Sequence, residues 1–465
     1  MPVGPTVSAV EAIARISPAR AAAFEILTLV GEGRGHSDEL LCGPGSGAWM
    51  EALSPEDRNL TTALVMGVLR WQIALDARVS KLLARPDQRL AEPVALALRM
   101  GAFQLLYLDR IPAHAALNES VEMCRAAGQP HAAGMVNAVL RKLAAEQSTA
   151  QSRDVIEPTS QKRDVGHPMH ESTAAFAERL GHPLWLVERW VAAYGREAAL
   201  AICEYDQHEP GRGAIFPEED GTVAGPDGEG APRMDDGSRL VAEIAAAAMP
   251  IPTTAGRVAR VWDCCAAPGG KALVLALRLT DAEILATDAS AKRLAQMAAR
   301  LRRYAYAQRV RCAVADATDA VLETPQDTKF DLILCDVPCS GTGTLARNPE
   351  IRLRLQPEGL ARQCARQRAI LSGALRRLAP GGRLVYSTCS LEPEENEFVV
   401  EAVAPEAGVR RLSIEPLIAR LADTGVLRQE GSAKLIGTAV KDGALRTLPG
   451  VHGCDGFFAV VLERA

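Results

Sequence analysis

Three short apolar runs in the second half of the chain each lead into a turn of small residues, a pattern typical of buried parallel strands. They are Arg260–Asp263, Phe330–Cys335 and Leu384–Tyr386. Cys339 follows the second run, and Cys389 follows the third. Side chains at the carboxyl ends of parallel strands point into one crevice of an α/β sheet. We therefore expect one small-residue loop and two thiols to face a single site.

Strand-length and helix-length segments alternate from about residue 234 to the end. The predicted strands are Val258–Trp262, Glu283–Thr287, Val310–Val314, Phe330–Cys335 and Leu384–Tyr386. Helices are predicted from Lys271, from Ser290 and between the last two strands, where Leu360, Ile370, Leu371 and Leu378 supply the apolar face. This alternation predicts a doubly wound α/β sheet with right-handed crossovers.

The first part of the chain has a helical pattern instead. Ser17-Pro18 and Ser54-Pro55-Glu56-Asp57 each give a capping serine followed by a proline suited to the first helical position. After the second of these starts, Leu60, Leu64, Val68 and Trp71 follow a 3.6-residue period. We predict an all-α bundle over residues 1–145.

At 465 residues the chain is long enough for two or three domains. Residues 146–172 are rich in Ser, Thr, Gln and charge, and we predict a linker there because they carry too little apolar surface to fold alone. Residues 173–233 restart a helix at Pro183–Trp190 and then break up in glycine, proline and acids, which predicts a reduced connecting region. Residues 234–465 are the predicted α/β domain.

Composition excludes several classes of protein. No apolar run approaches 18 residues and no signal peptide is evident, so we expect a soluble, cytosolic protein without a membrane anchor. The 11 cysteines include no Cys-x-x-Cys pair, which favours reduced thiols over disulfides or a metal site. Net charge is −5, yet residues 292–311 carry seven Lys or Arg side chains and no acid. That stretch is either a solvated helix face or a phosphate-binding surface, and charge alone does not decide. We expect a monomer.

The strand ends carry residues suited to a nucleoside ligand. The turn Pro268-Gly269-Gly270 lets a ligand approach the backbone at a helix start. A single acid at a strand end is usually a turn cap, but Asp288, Asp316 and Asp336 end three successive strands, and such acids hold ribose or base groups. Free cysteines usually pack as small apolar residues, and we interpret Cys124, Cys203, Cys312 and Cys335 in that way.

Cys339 and Cys389 lie in polar turns, where nearby arginines would favour the thiolate that a nucleophile needs. Such a thiol is suited to covalent activation of an unreactive carbon.

Together, the motifs resemble those of the RNA 5-methylcytosine methyltransferases. The motifs are Cys265-Ala266-Ala267-Pro268-Gly269-Gly270-Lys271, Asp336-Val337-Pro338-Cys339-Ser340-Gly341-Thr342-Gly343, Tyr386-Ser387-Thr388-Cys389-Ser390 with Glu392–Glu397, and Asp455-Gly456-Phe457-Phe458. The N-terminal bundle is similar to NusB-like RNA-binding domains at Pro112, His114, Asn118, Glu119, Asn137 and Arg141. A NusB-like domain joined to this catalytic domain is the arrangement of the RsmB/Sun/Fmu family, which methylates a cytosine of bacterial small-subunit (16S) ribosomal RNA.

The resemblance implies S-adenosylmethionine as cofactor, RNA as partner, and roles for individual residues. Cys265–Lys271, Asp288, Asp316 and Asp336 would bind the cofactor. Cys389 would be the nucleophile that adds to C6 of cytosine, Asp336 would assist at N3, and Cys339 would serve in breakdown of the adduct. The Arg-x-Asn signature of the family's RNA-binding subdomain has only Arg212-Gly213-Ala214-Ile215 as a counterpart, in a shortened interval, which leaves the target cytosine open.

Two other functions agree less well with the sequence motifs. A non-catalytic RNA-binding role would use the bundle but leave the cofactor and cysteine motifs without a purpose. A methyltransferase acting on an exocyclic amine would carry an Asn/Asp-Pro-Pro-aromatic motif in place of Asp336–Cys339, and would have no need of Cys389.

Overall fold

The computed structural model describes residues 15–42, 50–156, 171–211, 214–218, 223–224, 230–231, 233–250, 257–319 and 328–465. They form two compact units. One comprises the chain up to Glu188 together with Arg347–Leu353, and the other comprises Arg189–Ala346 and Arg354–Ala465.

The first unit is helical, as the apolar periodicity predicted. Its helices are α1 (Pro18–Gly31), α2 (Ser37–Cys42), α3 (Pro55–Ser80), α4 (Glu92–Tyr107), α5 (Ala113–Ala126), α6 (Ala133–Ile156) and α7 (Thr173–Arg179). Ser54 caps α3 as expected, because its side chain accepts a hydrogen bond from the Asp57 amide at 3.1 Å. Leu64, Val68, Leu98 and Leu140 are fully buried in one core. The predicted periodic positions therefore form the interior of the bundle.

The first part of the predicted linker at 146–172 is helical. Helix α6 continues to Ile156, well past position 146, and α7 begins at Thr173. Residues 157–170 lie outside the described residues. Alanine, glutamate, glutamine and arginine are good helix formers, so the helix can continue without an apolar face to bury.

The boundary between the two units lies at Glu188, within the predicted connecting region 173–233. The segment Arg347–Leu353, from the second half of the sequence, belongs to the first unit. Within that segment, Glu350 accepts hydrogen bonds from the amide and hydroxyl of Ser37, at 3.0 and 2.9 Å.

The second unit contains a sheet that has nine strands among the described residues. They are β3 (Ala259–Asp263), β4 (Ala282–Asp288), β5 (Arg311–Val314), β6 (Phe330–Asp336), β7 (Leu378–Thr388), β8 (Val409–Leu412), β9 (Val440–Lys441), β10 (Ala444–Arg446) and β11 (Phe458–Arg464). Their order in the sheet is β5-β4-β3-β6-β7-β11-β10-β9, with β8 paired to β11. Strands β3 to β7 pair in parallel, and β11 pairs antiparallel with β7. The five predicted strands are confirmed as the parallel part of a mixed sheet.

The remaining helices of the described residues follow from Leu184 onward. They are α8 (Leu184–Tyr194), α9 (Arg196–Tyr205), α10 (Asp236–Ala247), α11 (Gly270–Arg278), α12 (Ala291–Leu301), α13 (Ile351–Arg354), α14 (Pro357–Arg376), α15 (Glu397–Val403), α16 (Glu415–Asp423) and α17 (Gln429–Thr438), of which α8 and α13 span a boundary between the units. Successive strand residues belong to opposite cores: Val261 packs with α10 and α11, whereas Trp262 packs with α14. The alternation is that of a sheet buried on both sides.

Residues 209–232, predicted as a loop or a reduced domain, include a small antiparallel hairpin of β1 (Val223–Ala224) and β2 (Gly230–Ala231). Among the helices of the described residues, none combines the length and the low polarity that a membrane crossing requires.

Candidate active site

The two thiols of the predicted site touch. Strands β6 and β7 are parallel neighbours, with Asp336 paired to Ser387, so both run toward the same edge of the sheet. Cys339 lies three residues beyond β6 and Cys389 directly follows β7. The two Sγ atoms are 3.3 Å apart, and both residues are partly buried.

Backbone hydrogen bonds join the turns that follow β6 and β7. The Gly343 amide donates a 2.9 Å hydrogen bond to the Cys389 carbonyl, and the Gly456 amide donates a 2.7 Å bond to the Gly343 carbonyl. A Cβ on Gly343 would lie 2.8 Å from the Gly456 Cα, so this close approach requires glycine.

The protonation expected for Cys339 is wrong. The hydrogen bond with Cys389, burial of the side chain and the negative charge of Glu395 hold the Cys339 pKa well above the usual thiol range. Cys339 is therefore a protonated thiol near neutral pH, and the arginines of the sequence do not turn it into a thiolate. In the contact between the two sulfurs, either atom can be the donor.

Asp336 ends β6 and is held from two sides. Lys271, in the first turn of α11, lies with its Nζ 2.7 Å from Asp336 Oδ2, and the Ser387 hydroxyl donates to Oδ1 at 2.7 Å. Burial alone would lower the Lys271 pKa, but the attraction of Asp336 and their hydrogen bond give a net increase. Lys271 is therefore a fixed ammonium group beside the carboxylate.

One cleft at this edge contains most of the predicted site residues. It is lined by Cys265, Ala267, Asp288, Asp316, Asp336, Cys339 and Cys389, together with Cys264, Ala289, Arg293, Ala315, Ala317, Val337, Pro338, Arg366 and Ile370. A second cleft, on the other side of the small-residue loop, is lined by Ala266, Pro268, Gly270 and Lys271 and shares Cys265, Ala267 and Asp336 with the first. Gly269 lines neither cleft. It has a left-handed φ of 96° at the start of α11, and a Cβ there would lie 2.6 Å from Met297 Cγ.

The two remaining acids differ in their surroundings. Asp288 is buried, and its Oδ1 accepts a 2.8 Å hydrogen bond from the Ser290 amide while Arg293 lies 3.5 Å from Oδ2. Asp316 is exposed two residues beyond β5, and hydrogen bonds from Thr318 lower its pKa. Both carboxylates are thus held in place by local turns and face the first cleft.

Two family models match the chain in the order expected from the motifs. The model of the NusB family matches residues 17–145, and the model of the 16S rRNA methyltransferase RsmB/F family matches residues 255–463. The ribosomal RNA small subunit methyltransferase B of Xanthomonas campestris is 32% identical over 442 residues, which cover 88% of this chain and 90% of that protein. This chain belongs to the RsmB/F family.

Other similarities agree with membership of the RsmB/F family. A probable ribosomal RNA small subunit methyltransferase B of Bacillus subtilis is 30% identical, over 89% of this chain and 92% of that protein. The crystal structure of PH0851 superposes with a TM-score of 0.65 at 20% identity, covering 97% of this chain and 99% of that chain. The predicted family and fold class are confirmed.

Several residues at this RsmB/F-family site had no role in the sequence prediction. Asp263, at the end of β3, lines the second cleft, and burial together with the nearby Asp336 raises its pKa to about 7. Arg293 and Arg366 line the first cleft. Glu395, Gln367 and Ser390 form a buried network behind the cysteines. The strand-end position of Asp263 was a usable signal, whereas Glu395 lies in an acidic run that resembles a solvated surface.

Proposed function

We propose that this RsmB/F-family protein methylates C5 of a cytosine in small-subunit ribosomal RNA, using S-adenosylmethionine, through a covalent bond between Cys389 and C6. The observation that carries the proposal is the contact between the Cys339 and Cys389 sulfurs in the cleft that also contains Asp336. Relatives of this chain are named as ribosomal RNA small subunit methyltransferases, which supports the choice of substrate.

A nucleophile is needed because C5 of cytosine is a poor nucleophile. When the Cys389 sulfur bonds to C6, the C5=C6 electron pair forms a C4=C5 bond, the C4=N3 pair moves to N3, and C5 becomes an enamine carbon. N3 takes up a proton from solvent, and the Asp336 carboxylate would accept a hydrogen bond from the resulting N3–H, which stabilises the adduct as charge develops. The Lys271 ammonium beside Asp336 keeps that carboxylate in place.

Product release reverses the addition. After C5 has received the methyl group, a water molecule takes the C5 proton, the C5=C6 bond forms again and Cys389 leaves with the electron pair of the C6–S bond. N3 then returns its proton to solvent. Cys339 is a thiol 3.3 Å from this sulfur. It can donate a hydrogen bond to the departing sulfur, which would favour breakdown of the adduct.

The clefts fit S-adenosylmethionine by the chemistry of their donors. Asp288 and Asp316 offer carboxylate oxygens for ribose hydroxyls and an adenine amino group. At Gly270 an added Cβ would meet only Met234, at 3.5 Å, so the wall of the second cleft is open there. Cys265–Lys271, Asp288, Asp316 and Asp336 are the residues that would hold the cofactor. When bound, it supplies an electrophilic methyl group.

A covalent trap tests the mechanism. Cys389→Ala is expected to form no product and no adduct with small-subunit ribosomal RNA, because no enamine can arise. Cys339→Ala is expected to accumulate an enzyme–RNA species in the presence of S-adenosylmethionine, visible as a slow band on a denaturing gel. The double variant should lose the band.

If Cys389→Ala traps RNA and Cys339→Ala does not, the two roles are reversed. If neither variant traps RNA and both remain active, the covalent mechanism is wrong. Bisulfite sequencing of ribosomal RNA from a deletion strain identifies the cytosine, and an unchanged pattern would contradict the proposed substrate.

A further inference from the structure

A single buried carboxylate reaches the turns of both cysteines. Ser340 and Ser390 are the residues that directly follow Cys339 and Cys389. The Ser340 amide donates to Glu395 Oε1 at 2.9 Å, and the Ser390 hydroxyl donates to Oε2 at 2.5 Å. Glu395 is fully buried, and it is not among the residues that line either cleft. It therefore acts on the turns from behind and does not touch the substrate.

The other contacts of Glu395 hold it rigidly. Gln367 Nε2 donates to Glu395 Oε1 and to the Pro338 carbonyl, both at 2.9 Å. The Tyr386 hydroxyl donates to the Glu395 backbone carbonyl at 2.6 Å. A buried carboxylate is tolerated only where several donors compensate its charge. Two of these donors, Ser340 and Ser390, belong to the segments that carry the thiols, and the third, Gln367, belongs to α14.

We infer that Glu395 is a positioning residue, which fixes the separation of the Cys339 and Cys389 sulfurs by joining the residues that follow them. The inference rests on the proposed function and extends it to the alignment of the two thiols. Hydrogen bonds from one rigid group to two turns leave each turn little freedom to move. Misplacement of a reacting group by about 1 Å can cost about 10²-fold in rate.

Geometry and charge make opposite predictions at this position. Glu395→Gln keeps the length of the side chain, and its amide can still join the turns if Ser390 accepts instead of donating. Glu395→Asp keeps the charge but is one methylene shorter and cannot reach both turns. If Glu395 positions the thiols, Asp is the more harmful substitution. If the negative charge of Glu395 were the important property, Glu395→Gln would be the more harmful substitution.

The first measurement needs no RNA. Diamide oxidises two adjacent thiols to a disulfide and is itself reduced to the hydrazine, taking up two electrons and two protons. The rate at which a Cys339–Cys389 disulfide forms, followed by peptide mass spectrometry, reports how well the sulfurs are aligned. We expect Glu395→Asp to slow it about tenfold and Glu395→Gln to stay within about threefold of wild type.

The second measurement is the single-turnover rate of adduct formation with RNA containing 5-fluorocytidine, where the same order of variants is expected. Glu392→Asp is the matched control. Glu392 is an equally buried glutamate of the same segment, but its carboxylate holds Arg189 and Trp190, at 2.6 and 3.1 Å. It should leave both rates close to wild type.

Ser390→Ala provides a second variant if Glu395→Asp fails to fold. It removes the donor to Glu395 on the Cys389 side, together with the contacts of the Ser390 hydroxyl with the Ser340 hydroxyl at 2.9 Å and the Glu392 amide at 3.0 Å, and it should also slow disulfide formation. The inference is overturned if Glu395→Gln is slower than Glu395→Asp, or if Glu395→Asp behaves like Glu392→Asp. Absence of an adduct in the wild-type protein would overturn the proposed function instead, and the disulfide rates would still decide the role of Glu395.

Discussion

Gly343→Ala is expected to displace the nucleophile without touching a reactive group. The added Cβ would lie 2.8 Å from the Gly456 Cα and closer still to the Gly456 carbonyl oxygen. Both neighbours are backbone, so no flexible side chain can move aside. Gly343 also donates its amide to the Cys389 carbonyl. The substitution must therefore push the two turns apart and shift Cys389 with them.

The size of the effect follows from the gap. Ordinary contact begins near 3.4 Å, and the Gly456 carbonyl oxygen is the closest neighbour, so the backbones have to separate by roughly 1 Å. Overpacking of this kind costs about 1–3 kcal/mol. In a domain of this size, each kcal/mol lowers the Tm by about 2–4 °C, so we expect a drop of roughly 5 °C. Because a shift of about 1 Å can cost about 10²-fold, the substitution should slow adduct formation by up to about 10²-fold.

Calorimetry and single-turnover trapping with 5-fluorocytidine RNA measure the two effects. Gly359→Ala is the control, because Gly359 lies in α14 with nothing within 4 Å of an added Cβ. It should retain the wild-type rate. A Gly343→Ala protein with an unchanged Tm and an unchanged adduct rate would refute the argument that these backbones are fixed against each other.

Three further predictions concern other parts of the chain. Gly270→Val should abolish S-adenosylmethionine binding in a folded protein, because its methyl groups would project into the second cleft, and calorimetry showing normal binding would contradict this. The affinity of residues 17–145 for RNA should fall by about tenfold or more between about 50 and about 200 mM salt if several phosphates are contacted, whereas salt-independent binding would contradict phosphate docking. His182 is buried, and burial, together with the nearby Arg352, holds its pKa well below the usual value. Its unfolded form takes up a proton below about pH 6.5, so stability should fall as pH drops below that value, by up to about 1.4 kcal/mol per pH unit. His182→Gln should flatten this dependence in thermal unfolding, whereas His114→Gln, at an exposed position, should not.

The parallel strands were predictable because burial on both faces leaves a continuous apolar run. In β6, for example, residues 330–335 are all buried and all but Asp331 are apolar, so the run is visible without any knowledge of neighbours. The antiparallel edge gives no such signal. Strand β8 has the sequence Val409-Arg410-Arg411-Leu412, and β9 has only two residues. Their composition does not mark them as strands, and they are recognised only by pairing, β8 with β11 and β9 with β10.

The site was predictable in position but not in detail. That Cys339 and Cys389 face one edge follows from the carboxyl ends of parallel strands. That their sulfurs touch depends on β6 and β7 being neighbours, and the chain places α14 and an unrelated loop between them. The protonation of Cys339 depends on this contact and on burial, so a rule based on nearby arginines in the sequence gave the wrong direction.

The acidic run at Glu392–Glu397 shows why charge patterns mislead at such a site. Glu394 is partly exposed, as a run of acids suggests, whereas Glu392 and Glu395 are fully buried. Each buried carboxylate is compensated by donors that are distant in sequence: Arg189 and Trp190 for Glu392, and Ser340 and Gln367 for Glu395. Removing one donor from such a buried carboxylate destabilises the fold, because it leaves a buried charge without compensation. Both glutamates therefore constrain the residues around them. Of these two buried glutamates, Glu395 is the one whose carboxylate contacts the residues that follow both cysteines. A change of side-chain length at Glu395 should therefore alter the reaction rate, while the same change at Glu392 should not.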